Sequence, residues 1–270
     1  MSCSGHTVGF TYMEKEIELR TIVIKVGGST IGAHDTLPRD CASLQAQGHR
    51  LVIVHGGGST VSEWLARLQI GTEFAEGLRT TPKESLEVVI AVLGGLVNKI
   101  LVQQFLTAGA QAVGLSGVDG GIVISEMNQR GLGFVGEKPL CNPDPLLPLL
   151  DAGIIPIVAP IGLTPDNHTL ININADTVAG AVAVALGASE ILFMTDVPGV
   201  QDEQGEIIED LVADTAIALQ KSGILKNGML PKVAACQTAA ASGVQSRIID
   251  GRVSGAILMA LNGTNGTVVT

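Results

Sequence analysis

Thr21-Ile22-Val23-Ile24-Lys25-Val26-Gly27-Gly28-Ser29 decides the architecture of this chain. A run of β-branched residues ends abruptly in glycines, which reads as a buried strand followed by a tight turn. The pattern returns as Leu51-Val52-Ile53-Val54-His55-Gly56-Gly57-Gly58. Each run precedes a helical stretch. Glycine has no Cβ and allows backbone N–H groups to approach an anion closely. The following helix adds its positive end. Two such turns side by side can hold two anionic groups, or one group passing between two molecules. Lys25 adds a mobile positive charge at the same place.

Outward from this point, strands and helices alternate. Strands are expected at 21–26, 50–54, 111–115, 154–159, 190–195 and 246–250, and this alternation means βαβ units with a mainly parallel sheet. Helices are expected near 36–47, 59–69, 143–152, 174–186, 213–222, 231–242 and 254–261. A long helix is expected over 82–108, with Thr81 as its cap, Pro82 at its first position and Gly109 as its stop. Residues 72–80, 121–137 and 162–173 read as hairpins or excursions, and 1–20 as a lead-in.

Composition fits an α/β protein with a large core. Of 270 residues, 46% are hydrophobic, 16% charged and only 3% aromatic, with 34 glycines. There are 16 basic and 26 acidic residues, a net charge of −10. No basic stripe exists, which argues against nucleic acid as a partner. Cys3, Cys41, Cys141 and Cys236 are scattered without metal-ligand spacing, which fits reduced thiols in the cytoplasm. No secretory leader and no run of about 18 apolar residues is evident, so no membrane partner is expected.

Familiar nucleotide motifs are absent or out of context. No GxxxxGK[ST] occurs. Gly131-Leu132-Gly133-Phe134-Val135-Gly136 has the GxGxxG spacing, but Glu137-Lys138-Pro139 follows where a helix should open. Four glycine turns follow strands, at 27–28, 56–58, 117–121 and 199, and ligands of open α/β sheets bind at that end. Lys25 closes a buried strand, as a rim residue or as a ligand to the turn. Lys232, in the first turn of a helix, is ordinary unless an anion is present. Asn172-Ile173-Asn174-Ala175-Asp176 lies at a strand-to-helix junction, where helix caps are common. Asp176 could instead orient the lysines. Asp196 reads as a turn residue or a ligand, and Arg79 as a lone arginine or a clamp on a carboxylate.

Taken in order, several segments resemble the amino acid kinase family across nearly the whole chain from residue 21. They are Ile24-Lys25-Val26-Gly27-Gly28, Val54-His55-Gly56-Gly57-Gly58, Gly77-Leu78-Arg79-Thr80-Thr81, Asn98-Lys99, Val113-Gly114-Leu115-Ser116-Gly117, Asn172-Ile173-Asn174-Ala175-Asp176, Thr195-Asp196-Val197-Pro198-Gly199-Val200 and Gly228-Met229-Leu230-Pro231-Lys232. The GLRxT and NxNAD segments are similar to the branch that acts on N-acetyl-L-glutamate.

The resemblance implies a three-layer αβα sandwich with two lobes, 21–180 for substrate and dimerisation and 181–270 for nucleotide. It implies transfer of the ATP γ-phosphoryl group to the side-chain carboxylate of acetylglutamate, in arginine biosynthesis. Lys25 and Lys232 would neutralise the transferring group, and Asp176 would hold both. Gly56, Gly57, Arg79 and Asn172 would bind acetylglutamate, and Gly27 and Gly28 the phosphate. Asp196, Val197, Pro198, Gly199, Val200, Gln201, Ile224, Leu225 and Lys226 would hold ATP. Mg²⁺ would travel with ATP rather than on protein ligands. Phosphoryl transfer to an ionised carboxylate needs positioning and charge neutralisation rather than a general base.

Two features depart from the arginine-inhibited members. The segment Gly251–Thr267 lacks their histidine and glutamate, and the lead-in is a poor helix. A homodimer without arginine control is therefore expected. Two other readings stay open: a kinase of carrier-linked aminoadipate or glutamate in lysine biosynthesis, and a non-catalytic sensor of the same fold. Arg79 in GLRTT weighs against the first, and the set Lys25, Asp176 and Lys232 against the second.

Overall fold

The computed structural model of the chain describes residues 19–28, 36–75, 77–225 and 228–270. Ser29, Lys226, Cys3 and nearly all of the lead-in lie outside the described residues.

The chain opens with β1 (Thr21–Val26), α1 (Leu37–Ala46), β2 (Arg50–His55) and α2 (Gly58–Arg67), then a hairpin of β3 (Phe74–Ala75) and β4 (Leu78–Arg79). One continuous helix spans Lys83–Thr107. It comprises α3 (Lys83–Ile90), a π-helical turn at Ala91–Val97 and α4 (Asn98–Thr107). Next come β5 (Ala112–Ser116), β6 (Val123–Met127), β7 (Val135–Cys141), α5 (Leu147–Asp151), β8 (Ile155–Ala159), β9 (Ile161–Leu163) and β10 (Leu170–Ile173). The rest is α6 (Ala175–Ala185), β11 (Glu190–Thr195), β12 (Asp210–Leu211), α7 (Ala213–Lys221), α8 (Met229–Ala241), β13 (Gln245–Asp250), α9 (Ala256–Leu261) and β14 (Thr267–Val269).

Eight strands form the central sheet, in the order β12-β14-β13-β11-β1-β2-β8-β5. From β13 to β5 every pairing is parallel. Only β14 breaks the pattern, running antiparallel to β13 and carrying the short β12 with it. Parallel strands are buried on both faces, which explains their unbroken apolar runs. Ile22, Ile24 and Val26 enter one core, shared with α1, α2, the long helix and α9. Val23 enters the other, shared with α5, α6, α7 and α8. The result is the expected three-layer αβα sandwich. β6, β7, β9 and β10 form a separate, closed four-stranded sheet.

Some expectations need correcting. Thr81 does not cap the long helix. Pro82 precedes the first helical residue in extended backbone, φ −64° and ψ 168°, with no side-chain cap. Thr81 is held back because its N–H and C=O pair with Leu132 and Phe134, and its hydroxyl donates to Arg79 O at 3.0 Å. The long helix is, by length and composition, apolar enough to cross a membrane. Leu101 and Phe105 are fully buried in the core entered by Ile22 and Ile24, however, which makes it a core helix here. Residue 180 lies within α6, which packs on β1, β2 and β11.

Candidate active site

Period-two alternation decides where Lys25 points. It shares the Val23 face of β1, and α6 lies over that face. Asn174 caps α6: its Oδ1 accepts from the N–H groups of Asp176 and Thr177 at 2.8 and 3.2 Å. The cap fixes the first turn and with it Asp176. Lys25 Nζ lies 2.8 Å from Asp176 Oδ1, an ion pair off the line of a hydrogen bond. Lys232, from the first turn of α8, reaches the other carboxylate oxygen at 3.3 Å and also donates to Gly228 O at 3.2 Å.

Burial and charge oppose each other at Lys25 and Asp176. Removal from water pulls the Lys25 ammonium below its usual range; Asp176 opposes that shift and Lys232 adds to it. Burial by itself would push the Asp176 carboxyl up, but the charges of Lys25 and then Lys232 outweigh it and hold it low. One carboxylate thus serves two ammonium groups, which leaves the triad with one positive charge. That charge faces the glycine turns.

The first two glycine turns meet. A β-carbon on Gly28 would lie 3.1 Å from Gly57 Cα. On one side of this contact is a cavity of about 220 Å³, lined by Lys25, Gly28, Gly56, Gly57, Arg79, Asn172 and Asp176 among others. On the other is a cavity of about 320 Å³, lined by Lys25, Gly27, Gly28, Thr195, Asp196, Val197, Gly228, Met229 and Lys232. Lys25 and Gly28 belong to both.

Arg79 reaches the first cavity from the β3–β4 hairpin. Its Nη2 donates to Gly58 O and Ser62 Oγ, each at 2.7 Å, and its guanidinium stacks 4.6 Å from the Phe74 ring centre. Its other terminal nitrogen is buried with no partner among the described residues. A planar donor aimed into a cavity with one unused edge suits a carboxylate. Asn172 Nδ2 donates to Thr81 Oγ1 at 3.0 Å, and Thr81 in turn donates to the main-chain carbonyl of Arg79, which ties the Asn172 side chain to the backbone that carries Arg79.

Not every expected residue comes to the site. Pro198, Gly199, Val200, Gln201, Ile224 and Leu225 do not line the second cavity. Val200 and Leu225 are core side chains, 1% and 4% exposed. Gln201 pairs with Ile207 across a short bridge. The turn at 117–121 also stays away, because β5 ends the sheet, two strands beyond β2. Gly131–Gly136 runs into a strand rather than a helix, as its sequence context requires. Conversely, sequence reasoning did not single out the apolar wall of the first cavity: Val61, Phe74, Val89 and Leu93. The i, i+4 spacing of Val89 and Leu93 marks an inward helix face, but gives no sign that the face borders a ligand.

Among the described residues no group of three or more His, Cys, Asp or Glu side chains is built to hold a metal. Asp176, on the first cavity, is engaged by two lysines, and Asp196 is the carboxylate that lines the second.

Residues 20–250 match the model of the amino acid kinase family. The chain is similar to the acetylglutamate kinase of Parvibaculum lavamentivorans, 42% identical over 90% of this chain and 85% of that one. It is 39% identical to the acetylglutamate kinase of Dehalococcoides mccartyi, over 94% and 96% of the two chains. Among solved structures, smu.665 of Streptococcus mutans UA159 superposes with a TM-score of 0.82 at 30% identity, covering 93% of this chain and 98% of that one.

Proposed function

The chain belongs to the amino acid kinase family, and on that premise we propose that it transfers the γ-phosphoryl group of ATP to the side-chain carboxylate of N-acetyl-L-glutamate. The observation that carries this reading is the pair of cavities joined at Lys25 and Gly28. One has a carboxylate clamp, the other a lysine-rich mouth, and a single group can pass between them.

The carboxylate oxygen attacks the γ-phosphorus, the bond from that phosphorus to the β,γ-bridging oxygen breaks, and ADP leaves with the electron pair. The carboxylate is already ionised at neutral pH, so no proton has to be removed and no general base is needed. Arg79 and Asn172 hold the substrate with the glycines Gly56 and Gly57. Lys25 and Lys232 neutralise charge on the transferring group, and Asp176 keeps both ammonium groups in place. Gly27 and Gly28 offer N–H donors to phosphate, and Asp196 and Val197 border the nucleotide. Mg²⁺ would be carried by the phosphates of ATP beside Asp196 and would offset their charge.

The same reading makes the protein a cytoplasmic enzyme of arginine biosynthesis and a homodimer. Free Cys141 and Cys236 accord with a reducing compartment. Exposed Leu96, Ile100 and Leu106 on the long helix accord with a self-association face. The test is an ATP-dependent hydroxamate assay across acetylglutamate, acetyl-aminoadipate, aspartate and UMP. Acetylglutamate is expected to be the preferred acceptor. Activity with acetyl-aminoadipate alone would move the enzyme to the lysine branch, and no turnover with any acceptor would favour a sensor.

A further inference from the structure

His55 and Asn98 are fully buried and line neither cavity. His55 ends β2 immediately before the glycine turn, and Asn98 follows the π-helical turn of the long helix. The Asn98 amide nitrogen lies 2.8 Å from Ile157 O on β8 and 3.1 Å from Leu115 O on β5. Two carbonyls at one end of an amide can only accept, which makes that end the NH₂ group. At the other end Lys99 Nζ donates to Oδ1 at 3.0 Å, consistent with the same orientation.

The amide nitrogen is also 3.2 Å from His55 Nε2. Its two hydrogens are shared among three acceptors, and a ring nitrogen that faces an NH₂ group carries no proton, so the ring proton belongs on Nδ1. Nδ1 is 2.7 Å from Gly56 O and donates to it. Burial keeps the ring uncharged, pushing its pKa down to about 4; the Gly56 carbonyl opposes this shift and Lys99 adds to it.

A trans peptide points its C=O and its N–H in opposite directions. Holding the Gly56 carbonyl against His55 thus turns the Gly57 N–H away from the ring. That N–H has no acceptor among the described residues, and Gly57 lines the cavity with Arg79. The π-helical turn presses on the same glycine from behind: a β-carbon on Gly57 would meet Leu93 Cδ2 at 2.8 Å and Val97 Cγ2 at 3.3 Å. A π-helical turn inside a long helix often marks a functional site.

We propose that His55 and Asn98 are positioning residues that set the Gly56–Gly57 peptide plane, and so the affinity for the anionic substrate in the Arg79 cavity. The proposal rests on the acetylglutamate reading for the identity of that substrate. It treats the long helix as part of the substrate site although its polar side chain here never touches substrate.

Two substitutions separate the contacts. In His55→Asn the amide nitrogen can occupy the place of Nδ1 and keep the bond to Gly56. In His55→Gln the amide oxygen reaches the Nε2 end and accepts from Asn98, and the Gly56 carbonyl is left unheld. His55→Gln is expected to raise the KM for acetylglutamate about tenfold while the KM for ATP stays within about twofold. His55→Asn is expected to stay within about threefold of wild type for both. Equal rises in both variants, or a rise confined to ATP, would overturn the proposal.

The tautomer is measured on the wild-type protein, so no variant has to fold. Nitrogen-15 correlation spectra at pH 7.5 should show His55 protonated at Nδ1 and bare at Nε2. The opposite tautomer, or an imidazolium, overturns the proposal. Calorimetry of wild-type protein with acetylglutamate tests the substrate reading separately: no binding there, with the Nδ1 tautomer present, sinks the substrate assignment and not the geometry.

Discussion

Gly28 and Gly57 meet backbone to backbone, with only 3.1 Å between Gly57 Cα and the place a β-carbon on Gly28 would take. The ends of β1 and β2 are thereby joined with no side chain between them. Gly57 also has φ 145°, outside the comfortable range of other residues. Gly57→Ala should therefore harm the protein more than Gly28→Ala, by about 1–3 kcal/mol of backbone strain in addition to the clash with Leu93. Urea unfolding of both variants checks the order. A Gly57→Ala protein as stable as wild type would show that the turn has slack.

Lys25→Ala and Lys232→Ala should lower kcat by about 10²-fold or more, by analogy with loss of an oxyanion donor. KM for acetylglutamate should change far less, since each charge matters most as the phosphoryl group moves. Steady-state kinetics decide this. Lys25→Ala should also destabilise the fold more than Lys232→Ala, because Lys25 is the deeper partner of Asp176, with 6% against 13% of its side chain exposed.

Arg79→Lys keeps the charge but loses the planar fork. It should raise KM for acetylglutamate and leave KM for ATP nearly unchanged. A fall in ATP affinity instead would assign Arg79 to the nucleotide and exchange the roles of the two cavities.

Stability should carry the signature of a buried neutral histidine. The pKa of His55 lies near 4 in the fold, against 6.5 in the unfolded chain. Between those values the unfolded state binds the extra proton, so stability is full above pH 6.5 and declines as pH falls towards 4. The span corresponds to about 3 kcal/mol. Denaturant unfolding at pH 7.5 and 4.5 should show this loss in wild type, and His55→Asn should lose less over the same interval. Identical pH slopes would mean that His55 is not the group responsible.

The protein should be a homodimer insensitive to millimolar arginine. In the segment Gly251–Thr267 the one charged side chain, Arg252, is already held by both oxygens of Asp250, at 2.9 and 2.7 Å. It offers no carboxylate to a free guanidinium. Light scattering and activity titration with arginine check both halves of this expectation. A mass of six chains together with inhibition would overturn it.

The strand-ending glycines made the central sheet legible from the sequence, because β1, β2, β8 and β11 are buried on both faces and cannot carry polar residues except at their ends. Lys25 stood out for that reason. β12 and β14 were not legible: two and three residues are too few to show a period. Asp176 was legible as a helix-start residue or as an anchor for the lysines, and its local setting did not decide between the two. Its partnership with Lys232 spans 56 positions in sequence, and no local pattern encodes a contact made by two helices lying side by side. Thr81 misled because its sequence setting suits a cap, whereas a bridge to the segment near Leu132 claims its backbone first. Val200 and Leu225 lie in segments assigned to ATP, yet neighbouring residues of an exposed loop can have their side chains folded into the core.

The carboxylate shared by Lys25 and Lys232 has a consequence for a protein working among many small anions. Two bare ammonium groups beside glycine N–H donors would be occupied much of the time by inorganic phosphate. Asp176 is a tethered competitor, present at a fixed and high effective concentration and already seated on both lysines. A weakly charged anion gains little by displacing it, whereas on the proposed reading a polyphosphate would also engage Gly27, Gly28 and the mouth near Asp196 through its other groups. Resistance to inorganic phosphate is thus built into the resting site, and Asp176→Asn should make phosphate a markedly stronger inhibitor against ATP even as turnover falls.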